Sequence, residues 1–207
     1  MIRHRTASTN ISDVLIEAAL QLLESDGLAG ITVRAVAGQA TVAPMGVYSR
    51  FGNKDGLLEA LFIHGFTQLE RAITATPATD PVTRLLDGCM GYREFAVTHP
   101  QLYHLMFEQM MLLELSPHAI DTAKSTFAIL VDRVHTVMHA GLIDAGDSVE
   151  VAQQIWSAMH GAVSLEIAGV HFAHDPQRNF QHLLDTLIQG LASVSRRRPT
   201  SPRLCPV

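Results

Sequence analysis

The chain has 207 residues, 47% of them hydrophobic and 17% charged, which suits one large or two small packed domains and excludes a disordered polymer. No apolar run reaches the roughly 18–20 residues of a membrane span, and the polar start MIRHRTASTN leads into an amphipathic stretch rather than a signal-peptide block, so the cytoplasm is the expected compartment and no membrane partner is expected. The net charge of −5 disfavours a polyanionic partner for the molecule as a whole, yet residues 1–54 carry a balance of +1 and the remainder −6, and affinity for phosphate depends on the face presented.

In chain order, residues 1–9 read as a flexible polar arm with Arg3, His4 and Arg5. A first helix is expected after Asn10, with Val14, Leu15, Ala18, Ala19, Leu22 and Leu23 on one apolar face and Gly27 at its end. Thr32 reads as the N-cap of a second helix to about Ala40, with Val36 and Ala37 inward and Arg34 outward. The turn Thr41-Val42-Ala43 follows, and Pro44 stands at the first position of a third helix, where its missing N–H costs nothing. Val42, Val47 and Phe51 take the core side of that helix, leaving Pro44, Met45, Gly46, Tyr48, Ser49 and Arg50 outside. Asn53 caps a fourth helix to about Ala75, with Lys54 set against the helix dipole. A phosphate partner would explain that lysine; so would simple solvation.

Two short helices joined by a tight turn have the layout of a helix-turn-helix, which lays its second helix in the DNA major groove. Arg34, Arg50 and Lys54 fall within Thr32–Asp55, with no acid before Asp55 itself.

Beyond the linker Thr76–Thr79, four Xaa-Pro pairs mark helix starts: Asp80-Pro81, His99-Pro100, Ser116-Pro117 and Asp175-Pro176. Asp147 and Glu150 make a capping-box-like pair. The expected helices run over about 81–98, 100–114, 117–141, 148–174 and 176–195, with a disordered tail over 196–207. The fold class is therefore all-α: a three-helix head over residues 10–55, a helix from Lys54 leading out of it, and a C-terminal helical domain over 56–195.

The stretch IEAALQLLESDGLAGITVRAVAGQATVAPMGVYSRFGNKDGLLEAL, with its Ala18-Ala19, Gly27, Thr32-Val33, Val36-Ala37, Tyr48, Phe51, Lys54 and Leu57, resembles the DNA-binding domain of the TetR family of transcriptional regulators over about residues 11–61. YREFAVTHPQLYHLMF and IWSAMHGAVSLEIAG resemble a TetR-like subgroup with a Trp–His–Gly signature, here Trp156, His160 and Gly161.

The resemblance implies a homodimer, a double-stranded DNA operator and a small-molecule effector bound in the C-terminal domain. Carried over by position, Arg34 matches a residue that reads a base or phosphate, and Tyr48 and Lys54 match phosphate contacts. Pro44, Met45, Gly46 and Arg50 occupy the recognition helix. The chain departs from the pattern at four places, one of them Arg50, which stands where histidine is frequent and can add a charge contact. Thr41 replaces a usual glycine, so the turn is expected to close without left-handed freedom. Ala43 replaces a usual side-chain cap, and Gly46 removes a phosphate donor. Base reading is then expected to rest on Arg34, Arg50 and apolar contact to thymine methyls.

In the C-terminal part, Tyr103, Met106, Phe107, Met110, Trp156, Met159 and His160 form a bulky apolar set with a few polar handles, suited to a ligand pocket. Such stripes serve equally as core. His160 lies one turn from Trp156, where it can bond a ligand or pin a helix, and Gly161 allows close helix approach.

Val163, Leu165, Ile167 and Val170, with Phe180, Leu183, Leu184, Leu187, Ile188 and Leu191, form apolar stripes expected to meet a partner copy. Asp132, His135 and His139 share a helix face, but without HExxH or a further ligand no metal is assigned. Cys89 and Cys205 read as two free thiols. No cofactor or catalytic motif is present, so the chain is not read as an enzyme. Its function is read as a DNA-binding regulator, a repressor released by a largely apolar ligand. The alternative is a small-molecule binding or sequestering protein with a vestigial helix-turn-helix.

Overall fold

The computed structural model describes residues 4–193, and among these the chain forms nine α-helices and no strand. Arg3, the tail over 196–207 and Cys205 lie outside the described residues.

The helices are α1 (His4–Gly30), α2 (Val33–Gln39), α3 (Pro44–Phe51), α4 (Lys54–Thr74), α5 (Pro81–Thr98), α6 (Pro100–Phe107), α7 (Pro117–His139), α8 (Ser148–Ile167) and α9 (Pro176–Ser193), with a 3-10 turn at Met110–Leu112. They gather into two compact units. The first takes the chain up to Ala75 together with Gly91–Ala128; the second takes Thr76–Met90 and the chain from Ile129 onward.

In the first unit, α1 starts at His4, so Asn10 lies inside the helix instead of capping it. Nothing from His4 to Asn10 is glycine or proline, and the helix continues back over this polar stretch. Gly27 breaks α1 with φ 66° and ψ −167°, as a residue without Cβ can. The buried stripe of α1 is Leu15, Ala18, Ala19 and Leu23. Val14, expected inward, is exposed, because it falls at the edge of that stripe.

Helix α6 packs on both α1 and α4. The Leu102 backbone N–H donates to Glu24 Oε1 at 3.4 Å, linking the start of α6 to α1. A Cβ on Gly65 would lie 2.5 Å from Met106 Sδ, so the bare glycine of α4 seats the α6 methionine. Glu59 of α4 accepts from the Ser116 backbone N–H at 2.9 Å, anchoring the entry to α7. An aromatic chain fills the same core. Phe62 meets Phe66 at 4.8 Å between ring centroids, Phe66 meets Phe107 at 5.4 Å, and Phe107 meets Tyr103 at 4.8 Å. The Tyr103 and Tyr92 hydroxyls hydrogen-bond at 2.7 Å. At Gly91 a Cβ would collide with the Ala72 carbonyl oxygen, so α5 crosses α4 backbone to backbone.

The second unit is built on Leu85, Cys89, Val134, Val137, Ile143, Ala152, Ile155, Met159, Val163, Phe180 and Leu184, all buried. Asp147 caps α8, accepting from the Val149 N–H at 2.8 Å and the Glu150 N–H at 3.4 Å. Two helices are shorter than their sequence pattern suggests. α8 stops at Ile167 rather than near 174, because Gly169 turns left-handed (φ 67°) and the Val170 N–H donates back to the Leu165 carbonyl at 3.1 Å. α6 stops at Phe107 rather than near 114, where the Gln109 N–H turns back to the His104 carbonyl at 3.1 Å before the 3-10 turn.

A Cβ on Gly161 would meet nothing within 4 Å among the described residues.

The backbone contact at Gly91 generates a prediction. Gly91→Ala should destabilise the protein by about 1–3 kcal/mol through overpacking. A thermal unfolding midpoint equal to that of the parent would show that α4 and α5 have room to part.

Candidate nucleic-acid interface

Helices α1, α2 and α3 pack around Leu15, Ala19, Leu23, Ile31, Val36, Ala37 and Val47, all buried. Thr32 caps α2 by accepting from the Ala35 N–H at 3.1 Å. Gln39 Nε2 donates to Gln21 Oε1 at 2.8 Å and ties the end of α2 to α1.

The turn that follows departs from expectation. Thr41 takes the left-handed conformation with φ 57°, and no other non-glycine residue among those described has a positive φ. The turn therefore adopts the glycine conformation without the glycine, at a cost of about 1–2 kcal/mol. Two backbone bonds hold it: the Thr41 N–H to the Gly38 carbonyl at 3.1 Å, and the Val42 N–H to the Ala37 carbonyl at 2.9 Å. The buried Val36, Ala37 and Val47 on either side leave the chain no relaxed path between the two helices.

Helix α3 opens at Ala43, which makes no side-chain cap, with Pro44 at its first position. Val47 is fully buried, while Val42 and Phe51 are half-buried beside it. Pro44, Met45, Tyr48, Ser49 and Arg50 are exposed, and Gly46 is half-buried. Met45 is 71% and Tyr48 50% exposed, which is high for large apolar side chains. Arg34 is exposed in the first turn of α2. Lys54, half-buried, begins α4 beside the Asn53 cap, whose Oδ1 accepts from the Gly56 N–H at 2.8 Å. No aspartate or glutamate lies between Asp26 and Asp55. The seven residues singled out in the sequence thus lie on one folded head, and no acidic side chain from within this stretch opposes them.

The bulky C-terminal residues divide between the two units. Tyr103 and Met106 are fully buried in the first unit, in the packing already described, and Phe107 and Met110 are half-buried there. In the second unit Met159 is buried, while Trp156 and His160 are half-buried with ring centroids 5.7 Å apart.

A cleft of about 670 Å³ in the second unit shares none of these residues. Its walls come from α5 and α9, with Leu86 and Met90 facing Leu184 and with Asp87, Arg178, His182 and Asp185 as polar groups. Sequence reading missed it because the walls lie far apart along the chain and neither carries a motif.

Of the stripe expected to meet a partner, Val163, Phe180 and Leu184 are buried within the chain. These three are corrected from interface to internal packing. Ile167, Leu183, Leu187, Ile188 and Leu191 keep part of their surface, Leu165 and Val170 are exposed, and so is Phe172 outside the stripe.

Two titratable groups depart from their ordinary values in instructive ways. Burial pushes the Cys89 thiol up to about 12, against the nearby Arg133 guanidinium, so it is an unreactive packed thiol. His64 on α4 is held below the usual histidine range by burial and then by Arg71. His135 and His139 face each other at 6.3 Å between ring centroids. Among the described residues no group of three or more His, Cys, Asp or Glu is gathered to hold a metal, and no helix is long and apolar enough to cross a membrane.

The strained turn can be tested directly. Thr41→Gly should stabilise the protein by roughly 0.5–1 kcal/mol, the relief of strain exceeding the added chain entropy. A lower unfolding midpoint for the glycine variant would mean that the Thr41 side chain contributes more than its conformation costs.

Comparison with known proteins agrees with this geometry. Residues 15–61 match the family description "Bacterial regulatory proteins, tetR family". Residues 85–187 match "Tetracyclin repressor-like, C-terminal domain". An HTH-type transcriptional regulator from Mycobacterium tuberculosis is 26% identical over 181 residues, covering 86% of this chain and 79% of its own. A Rhodococcus protein of unknown function has the same fold with a TM-score of 0.81 and 25% identity, over 88% of this chain and 95% of its own. A TetR family transcription regulator from Marinobacter aquaeolei superposes with a TM-score of 0.69 at 17% identity, over 90% of this chain and 98% of its own. With a helix-turn-helix head, an all-helical C-terminal part and both halves matched, the chain belongs to the TetR family of DNA-binding transcriptional regulators.

Proposed function

We propose that the protein is a homodimeric repressor that binds a near-palindromic operator and leaves it when a small, largely apolar molecule binds its C-terminal part. The observation that carries the DNA half is the folded head: Arg34, Tyr48 and Arg50 are exposed on α2 and α3, in a stretch free of acids from Gly27 to Lys54. In this reading Arg34 and Arg50 reach bases or phosphate, Tyr48 and Lys54 bind phosphate, and Pro44, Met45 and Gly46 form the face that enters the major groove.

The dimer is supported by the apolar surface left on the second unit. Ile167, Leu187, Ile188 and Leu191 are partly exposed, with exposed Leu165 and Val170 and a fully exposed Phe172. A partner copy would cover them. Two recognition helices about 34 Å apart would then meet successive turns of one face of DNA.

The effector half rests on the family. Phe107 and Met110 keep part of their surface in the first unit, where Tyr103 and Met106 are buried; taken by itself, the second unit leaves Trp156 and His160 part-exposed and buries Met159. Membership of the Trp–His–Gly subgroup rests on the signature Trp156, His160 and Gly161, whose first two rings meet one turn apart on α8. Release needs only a modest coupling, typically about 1–3 kcal/mol.

Selection of bound sequences from random DNA should enrich a palindrome. If none is enriched, the repressor reading fails and a sequestering role with a vestigial helix-turn-helix replaces it. On the enriched duplex, Arg34→Ala should weaken binding by about 1–3 kcal/mol, and an unchanged gel-shift titration would remove Arg34 from the interface. Light scattering at micromolar concentration should give twice the monomer mass; a monomer would sink the dimer.

A further inference from the structure

We infer that α3 reads a C5-methyl group in the DNA major groove through the side chain of Met45. The inference rests on the proposed DNA reading and specifies what that face recognises.

Met45 is the second residue of α3 and is 71% exposed, the most exposed large apolar side chain of the head. Hydrogen-bonding side chains near it on α3 are few: the exposed Tyr48 one turn on, and Ser49. Ala43, Pro44 and Gly46 have no side-chain donor or acceptor. The Ser49 hydroxyl, one turn further on, donates to the Gly46 carbonyl at 3.1 Å, so its proton is turned back onto the helix.

Gly46 is not forced by crowding. A Cβ there would meet only the Val42 side chain, at the ordinary contact distance of 3.7 Å. Its bareness leaves a shallow step beside Met45 through which base edges can approach the helix. The tip of this helix thus has shape and apolar surface, and little means of reading donors and acceptors.

The charge around it selects the occupant. Arg34, Arg50 and Lys54 belong to the same head, and no acid lies between Asp26 and Asp55. Such a surface favours a polyanion over an apolar protein face. The apolar feature that a duplex displays in its major groove is the methyl at C5 of thymine, and 5-methylcytosine carries the same methyl at the same ring position. A flexible thioether suits such a contact, because it fits irregular apolar surfaces with little strain.

The experiment uses the full chain and the duplex that it enriches from random DNA. Each thymine is replaced in turn by uracil, which removes the C5 methyl alone. At least one replacement per half-site should weaken binding by about fourfold, the effect of exposing one methyl-sized group. At that position 5-methylcytosine should bind more tightly than cytosine, which tells the methyl apart from the other groups of thymine. Met45→Leu should keep the discrimination. Met45→Ala should bind uracil and thymine duplexes alike, with an unchanged circular dichroism spectrum because Met45 lies outside the core. The inference is overturned if no thymine responds to uracil, or if Met45→Ala discriminates as well as the parent. A duplex that is enriched yet blind to every uracil overturns the methyl reading alone; enrichment of no duplex overturns the DNA reading with it.

Discussion

The head depends on one backbone conformation. Helices α2 and α3 can both bury their apolar sides against α1 only if the chain reverses sharply between Ala40 and Pro44, and that reversal puts Thr41 at φ 57°. A threonine resists this more than a glycine, because its branched Cβ crowds the carbonyl. It stays there because the alternatives cost more. Releasing the turn would open the bonds from Thr41 to Gly38 and from Val42 to Ala37, and would unseat Val36, Ala37 and Val47, which are buried to within about 1%. Local strain is thus held by packing on both sides, and the same packing sets the angle at which Arg34 and the outer face of α3 are displayed.

Beyond the head, the first unit is organised by α6. This short helix packs against α1 and α4, and each contact is specific: Glu24 reaches the start of α6, and the bare Gly65 receives Met106. Close-packed helices of this kind move together or break contact, since interiors hold little free volume. The head is therefore continuous with helices contributed by the C-terminal sequence. Tyr103 and Phe107 are joined to Phe66 and Tyr92 in the same core by ring contacts and one buried hydroxyl pair.

Residues with strictly local roles were legible in the sequence. Thr32 and Asp147 cap as their positions suggest, Pro44 opens α3, Gly27 breaks α1, and Ala43 leaves α3 uncapped. Each depends on hydrogen bonds or dihedrals within one turn of chain, and those follow from residue type. Other helix ends fall elsewhere than their local signals suggest. α1 runs back past Asn10, and α8 stops before its apolar pattern does. The apolar stripes were found, but not the surface each would cover. Val163, Phe180 and Leu184 have the spacing of an interface and lie inside the chain, since periodicity marks a face without saying what lies opposite.

The sequence by itself determined the class of fold, the order of helices, the helix-turn-helix and the basic, acid-free character of residues 27–54, because periodicity, caps and charge are properties of short stretches. Only the tertiary structure decided that Thr41 is left-handed, that α6 locks onto α1 and α4, that Tyr103 and Met106 are packed, and that Met45 stands clear of its neighbours. Each of these depends on atoms far apart in sequence competing for the same space, and that competition is settled only when the whole core is assembled.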